Sequence, residues 1–378
     1  MMKEHTLRHR PNYGAWVFGQ LRLLDGWLVV NVLLLGVVGI LMQYSAAKGA
    51  MQPWALPQLL RFGAGFIVML VIALISARGW FQLAYPLYAL GILGLLLVEL
   101  MGFIGMGAQR WIVIGGIIIQ PSEFMKPCLI LALAHYYHRV HHTQVMRWWL
   151  LLFPLGMIAV PAMLILHQPN LGTTVILCLT ALGMMFVAGV GWRKFVLAGL
   201  LGLALLPVGW QMLHDYQKQR VWTFLAPETD PLGAGYNILQ SKIAIGSGGI
   251  LGKGFVQGSQ SQLDFLPEKQ TDFVFTMIAE EFGLIGALGV IALYAMILLL
   301  GVRIVVNSRS VFGKLVAAGV MVLLFVQVFV NIGMVSGVLP VVGVPLPLVS
   351  YGGSSLLATL IGLGLLLSVN IHREADIH

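Results

Sequence analysis

The run Leu266-Pro267-Glu268-Lys269-Gln270-Thr271-Asp272-Phe273-Val274-Phe275 places a carboxylate, Asp272, where a long polar segment gives way to apolar sequence. An ionised carboxylate at the edge of hydrocarbon is costly, so an aspartate there is a candidate for acid–base work. The position also suits a helix cap, since a carboxylate at a helix start accepts orphan N–H bonds and lies at the positive end of the dipole. Glu280 falls about 12 Å further along a helix and about 80° around it, close enough to line the same groove, whereas Glu281 faces the opposite way. Either glutamate could instead bond to a neighbouring helix. Glu123 and Lys126, three residues apart, share a face and can pair, which lowers the cost of carrying both charges into a bilayer. That pair can be structural, or it can hold Lys126 toward an anionic substrate.

These residues need membrane helices to position them. Of 378 residues, 59% are hydrophobic and only 10% charged, against roughly 25% charged in soluble domains, and the mean hydropathy is +0.91. The chain therefore reads as an all-α polytopic integral membrane protein. Stretches long enough to cross a bilayer as helices lie near 26–46, 58–76, 80–101, 122–138, 148–166, 171–190, 194–213, 272–302, 312–335 and 350–370. Ten transmembrane helices are expected in a single membrane domain over 1–378, with a large extracytoplasmic loop, about 213–271, between helices 7 and 8. The apolar run at the N-terminus is too long for a secretory signal and reads as the first anchor.

Lysine and arginine set the orientation. With a cytoplasmic N-terminus, inner segments carry thirteen of them, among them Arg78, Arg139, Arg193, Arg303, Arg309 and Arg373, while the short outer loops carry only Lys48, Arg61 and Arg110. Both termini are then cytoplasmic. The net charge of +8 is largely this topological signal and does not call for nucleic acid. The polar islands all fall at outer ends: 107–123, Gln168-Pro169-Asn170, 213–271 and 338–355. One outward-facing site follows, and the inner ends hold little beyond Arg, Lys and His.

Other motifs carry less. Gly246-Ser247-Gly248-Gly249-Ile250-Leu251-Gly252-Lys253-Gly254 lacks the glycine, the closing Ser/Thr and the preceding strand of a phosphate-binding loop. Its glycines suit a tight turn or a close approach to a ligand. His135, His138, His141 and His142 have helical spacing without a Cys or carboxylate beside them, and read as a wet helix end. Cys128 and Cys178 fall in apolar spans and read as small buried hydrophobes.

Taken in order, Gly107-Ala108-Gln109-Arg110-Trp111, Gln120-Pro121-Ser122-Glu123-Phe124-Met125-Lys126, Gln168-Pro169-Asn170-Leu171-Gly172-Thr173, Asp230-Pro231 with Gly235-Tyr236-Asn237, Leu266-Pro267-Glu268 with Thr271-Asp272-Phe273, and Pro345-Leu346-Pro347 with Ser350-Tyr351-Gly352-Gly353 resemble the SEDS family (shape, elongation, division and sporulation). The motifs span nearly the whole chain. Gly258-Ser259-Gln260-Ser261-Gln262 and Gly337-Val338-Leu339-Pro340 are similar to its elongation, RodA-like branch rather than its division branch.

The resemblance implies ten membrane helices and a peptidoglycan glycosyltransferase that polymerises lipid II, the undecaprenyl-pyrophosphate-linked precursor, for cell elongation and rod shape. It implies the outer, periplasmic face of the cytoplasmic (inner) membrane, a class B penicillin-binding protein as transpeptidase partner, and Asp272 as the essential carboxylate. Inversion at the anomeric carbon would follow from direct displacement. Substrate-contacting candidates are Arg110 and Trp111; Gln120, Ser122, Glu123 and Lys126; Gln168 and Asn170; Arg220, Lys242, Gln260, Glu268 and Glu280; and Ser350 with Tyr351. The cations among them, Arg110, Lys126, Arg220 and Lys242, would meet the departing pyrophosphate, and a divalent cation (Mg or Mn) could share that task. The family usually has Asp at Asn170 and often His at Gln270, so a metal role at Asn170 is weakened here. A lipid II flippase is the competing class, with broken helices and midplane charges as its marks, and a noncatalytic scaffold is a third.

Overall fold

The computed structural model describes residues 19–20, 23–105, 108–140, 147–212, 218, 222, 234–266 and 268–374. Arg220, His141, His142 and the Asp230-Pro231 motif lie outside them.

A helix occupies each of the ten apolar stretches. They are α1 (Gly26–Ala46), α2 (Ala55–Leu74), α3 (Ala77–Met101), α4 (Pro121–Arg139), α5 (Leu152–His167), α6 (Leu171–Val187), α7 (Trp192–Met212), α10 (Val274–Asn307), α11 (Val311–Val335) and α12 (Gly353–Ile371). Seven helical stretches among the described residues are long and apolar enough to cross a membrane. α4 is diluted by Glu123, Lys126 and Arg139, and α6 has only 17 residues. Starts are capped where the sequence offers an acceptor: Asp25 takes the Trp27 and Leu28 N–H groups, and the Ser76 and Ser310 hydroxyls take those of Gly79 and Gly313.

α11 and α12 form the centre, with 78% and 72% of their apolar windows buried against 17% for α3. Lipid supplies no hydrophobic drive between helices, so close packing at small residues does the joining. Gly65 of α2 lies against Leu360 of α12, and Gly91 of α3 against Met125 of α4.

Two expectations need correction. The fold is not purely α: β1 (Phe103–Gly105), β2 (Ala108–Ile114) and β3 (Ile117–Ile119) form an antiparallel sheet in the order β1-β2-β3 between α3 and α4. Phe103 pairs with Trp111 and Ile112 with Ile119. Gly115-Gly116 makes the two-residue turn, both at positive φ, as a hairpin with native twist requires.

Nor is the described part of 213–271 an open loop. It holds α8 (Ala234–Ser247) and the short α9 (Ser259–Gln262), joined by the glycine-rich segment that packs against α10. α10 breaks at Gly283 (φ 64°, ψ −159°), which frees backbone groups that lipid cannot satisfy. The glycine-rich segment satisfies them. The Lys253 and Gly254 N–H groups donate to the Glu280 and Glu281 carbonyls, and the Leu284 and Ile285 N–H groups donate to the Gly249 and Ile250 carbonyls, all at 2.9–3.2 Å. A Cβ on Gly252 would sit 2.2 Å from the Glu281 carbonyl oxygen and one on Gly248 2.0 Å from that of Ala279, so these two glycines serve a backbone-to-backbone approach.

Candidate active site

Asp272 stands two residues before α10, partly exposed, with Phe273 as the cap residue. Its place is set by three amide side chains that are fully or almost fully buried in otherwise apolar helices. Asn331 of α11 donates from Nδ2 to the Asp272 carbonyl (2.9 Å) and to the Val344 carbonyl (2.7 Å). Gln43 of α1 donates to the Gln270 carbonyl (3.0 Å) and the Val349 carbonyl (3.3 Å), and Gln58 of α2 to the Ser350 carbonyl (3.2 Å). The turn bearing Asp272 is thus tied to the 338–352 segment through groups that would be costly to leave unpaired.

Direct bonds complete the link. Ser350 donates from Oγ to the Thr271 carbonyl and accepts from the Leu346 N–H at 2.7 Å, while the Tyr351 N–H donates to the Gln270 carbonyl at 2.8 Å. A Cβ added to Gly343, whose φ is +72°, would come 3.3 Å from Oδ2 of Asp272. The 338–352 segment therefore runs directly beside the carboxylate.

The remaining polar islands meet at this end. Arg110 of β2 donates from Nε to the Gln168 carbonyl at 3.0 Å and from a terminal nitrogen to the Pro169 carbonyl. Gln168 is buried and donates to the Leu95 carbonyl (3.0 Å), and Gly172, one turn on, packs against the Val342 carbonyl. The Gln120 N–H donates to Ser354 Oγ (3.0 Å) and its side chain to Ser122 Oγ (3.2 Å), joining the start of α4 to that of α12. Trp111 is half-buried on β2. Arg61 of α2 lies over the Tyr351 ring, 4.8 Å from its centroid, and adds an exposed cation.

Several candidates have structural partners instead. Glu123 and Lys126 pair at 2.8 Å with side chains only 6% and 2% exposed, so Lys126 points into the α4–α6 interface and not toward solvent. Asn170 caps α6, accepting the Thr173 N–H on Oδ1 (3.4 Å). Lys242 of α8 lies across Gly337, at the end of α11. Glu268 is exposed and accepts from the Thr271 hydroxyl at 3.1 Å.

Glu280 departs most from expectation. It is fully buried, and instead of lining the groove of Asp272 it accepts from Lys253 Nζ (2.9 Å), the Gln260 N–H (2.9 Å), the Ser259 hydroxyl (3.3 Å) and the Ser261 N–H (3.3 Å). Glu281 accepts from the Ser45 hydroxyl and, at 3.2 Å, from the Val256 N–H. Both glutamates hold the 253–262 segment onto the bundle. Helical spacing placed Glu280 on a face but could not reveal that this segment covers it.

Lys269, buried, ties down the turn before Asp272: its Nζ donates to the Ser261 carbonyl (2.6 Å) and to Asp264 (2.7 Å), and Lys48 takes the other Asp264 oxygen at 2.7 Å. The Lys269 hydrogen bond first, then that of Lys48, holds the Asp264 carboxyl down at about 2. Gln43, Gln58, Asn331 and Lys269 were all missed from sequence. For the amides the signal was present, because a polar residue inside an apolar span needs a partner.

The sequence and the fold both have relatives among known proteins. The chain is 45% identical over 317 residues to the peptidoglycan glycosyltransferase MrdB of Escherichia coli strain K12, covering 82% of this chain and 84% of that one. It is 36% identical over 362 residues to the stage V sporulation protein E of Bacillus subtilis strain 168, covering 92% and 96%. Among solved structures, the rod shape determining protein RodA of Thermus thermophilus superposes with a TM-score of 0.70 at 32% identity, over 93% of this chain and 98% of that one. A chain solved in a peptidoglycan synthase complex superposes with a TM-score of 0.81 at 37% identity, over 93% and 99%. The family model for FtsW/RodA/SpoVE cell cycle proteins matches residues 26–375, so this multi-pass membrane chain belongs to that family.

Proposed function

We propose that the chain is a peptidoglycan glycosyltransferase of cell elongation in which Asp272 is the general base. The acceptor sugar's 4-hydroxyl attacks the anomeric carbon of the lipid-linked donor, its proton passes to the Asp272 carboxylate, and the bond to pyrophosphate breaks with inversion. A positioned base of this kind contributes about 10²- to 10⁴-fold in rate. The start of α10 favours the ionised carboxylate, and Asn331 fixes its backbone. Arg110 and Arg61 stand at the same end to meet the leaving pyrophosphate.

The observation that carries this reading is the partly exposed Asp272 at the one end of the bundle where the polar islands converge. With ten spans and both termini in the cytoplasm, that end is periplasmic. Among the described residues no three His, Cys, Asp or Glu gather as a metal site, and the Asn170 oxygen faces its own helix. These residues do not build a resident Mg or Mn site, and any such ion would enter with the pyrophosphate. A transpeptidase of the class B penicillin-binding type is the proposed partner, in line with the synthase complex in which a relative was solved.

Purified chain with its partner and labelled lipid II should yield glycan ladders, and Asp272→Ala should abolish them with folding and partner binding intact. Ladders at the wild-type rate from that variant would reject the base assignment, and lipid scrambling without polymer would favour transport.

A further inference from the structure

The far end of α10 carries a second polar site, one the glycosyl transfer does not use. Arg303 and Asn307, one turn apart on α10, face Asn370 and Arg373 at the end of α12 and Asp25 at the start of α1, around a cavity of about 250 Å3. Two bonds fix its walls: Asn370 donates from Nδ2 to the Leu23 carbonyl at 3.1 Å, and the Arg309 N–H donates to the Arg373 carbonyl at 3.0 Å. Asp25 is the acid of this lining, and its Oδ1 already accepts the Trp27 and Leu28 N–H groups at 3.1 and 3.2 Å as the α1 cap. Among the described residues, neither Arg303 nor Arg373 forms an ion pair with a carboxylate.

Two guanidinium groups and two amides around one hollow suit a phosphate oxyanion, which a guanidinium binds in bidentate fashion. The surroundings add an apolar requirement. Trp27 is 71% exposed beside the cap, and Val302 and Val306, next to Arg303 and Asn307, are 56% and 72% exposed, as lipid-facing positions are. An interfacial tryptophan beside cations marks a membrane boundary, and in the proposed topology that boundary is cytoplasmic.

We propose that this cavity binds the phosphate headgroup of an anionic phospholipid from the cytoplasmic leaflet, with the acyl chains lying along Val302 and Val306. The binding is independent of the Asp272 chemistry, so it can fail without that reading failing.

Native mass spectrometry of the full chain in detergent, titrated with dioleoylphosphatidylglycerol or dioleoylphosphatidylcholine, tests it. Wild type should retain one phosphatidylglycerol about tenfold or more tightly than phosphatidylcholine. Arg303→Gln with Arg373→Gln should erase that preference, and Arg303→Lys with Arg373→Lys should keep much of it. Equal retention of the two lipids by wild type, which needs no variant to fold, overturns the proposal, as does an unchanged preference in the glutamine variant. Inorganic phosphate that displaces the lipid at equimolar concentration also overturns it, by assigning the hollow to a soluble anion.

Discussion

Asp272 and Glu280 are two acids little more than two turns apart at the same end of α10, yet their surroundings give them opposite tasks. Asp272 keeps contact with solvent, and its turn is fixed through main-chain carbonyls: Asn331 takes its own while Gln43 and Ser350 take those of its neighbours. Glu280 has no exposure, and its own carboxylate oxygens receive a lysine, a serine hydroxyl and two N–H groups. A carboxylate whose lone pairs are saturated by fixed donors is poorly placed to take a proton from a substrate. One that keeps contact with solvent at the mouth of the helix can be reached by a substrate. Residue type and helical spacing do not separate the two; burial does.

The comparison breaks first at Asp272. Asp272→Asn keeps the side chain's shape and removes its basicity, so polymerisation should fall about 10²- to 10⁴-fold while the thermal midpoint stays near that of wild type. A fall in both together would make Asp272 another structural carboxylate. Glu280→Ala should do the reverse: removing the fully buried acceptor of this half-buried pair, whose Lys253 side chain is 27% exposed, costs about 2–3 kcal/mol, leaving Lys253 and the Ser259–Gln262 turn without their acceptor. Denaturation of the purified chain measures that loss. A variant with wild-type stability and no polymer would move Glu280 back into the catalytic groove.

Asn331 sharpens the contrast from a distance. Asn331→Leu keeps volume but leaves the Asp272 and Val344 carbonyls unpaired in a water-poor interior, for about 1–3 kcal/mol. The turn would then lose its register with Gly343, and the rate per folded molecule should drop even where stability is restored by lower temperature. Asn331→Gln, able to donate to one of the two carbonyls, should fall between.

Much of this was legible in the chain. Hydropathy marked each of the seven described helices long and apolar enough to cross a membrane, because such runs must satisfy their backbone internally in lipid. The gathering of Arg110, Gln168, Asp272 and Ser350 at one end followed from counting turns and charges. The hairpin was missed although its sign was present, since Ile112-Val113-Ile114 and Ile117-Ile118-Ile119 flank a Gly-Gly pair; it was read only as the edge of a polar island. Glu280 was placed in the wrong setting because its partners come from a loop whose path depends on the break at Gly283. The cavity at the other end joins Asp25, Arg303 and Arg373 from three distant segments, so no local pattern announces it, and that end is richer in amides than its loops suggest.

The smallest expected effect concerns pH and the turn that leads to Asp272. Asp264 is held at about 2, chiefly by Lys269 and then Lys48, below the roughly 3.9 of an unfolded chain. A carboxyl whose folded value is depressed stabilises above the unfolded value and loses that contribution as pH falls through the folded one. Wild type should therefore exceed Asp264→Asn in stability at neutral pH, and the gap should close between about pH 4 and pH 2. Asparagine accepts the positive φ of this position, so the comparison isolates the charge. Because the Asp264 side chain is 59% exposed, solvent screening keeps the gap under about 1 kcal/mol, far below the loss at Glu280. A gap that stayed constant down to pH 2 would mean that Lys269 holds the turn through the Ser261 carbonyl alone, leaving the turn before Asp272 indifferent to acid.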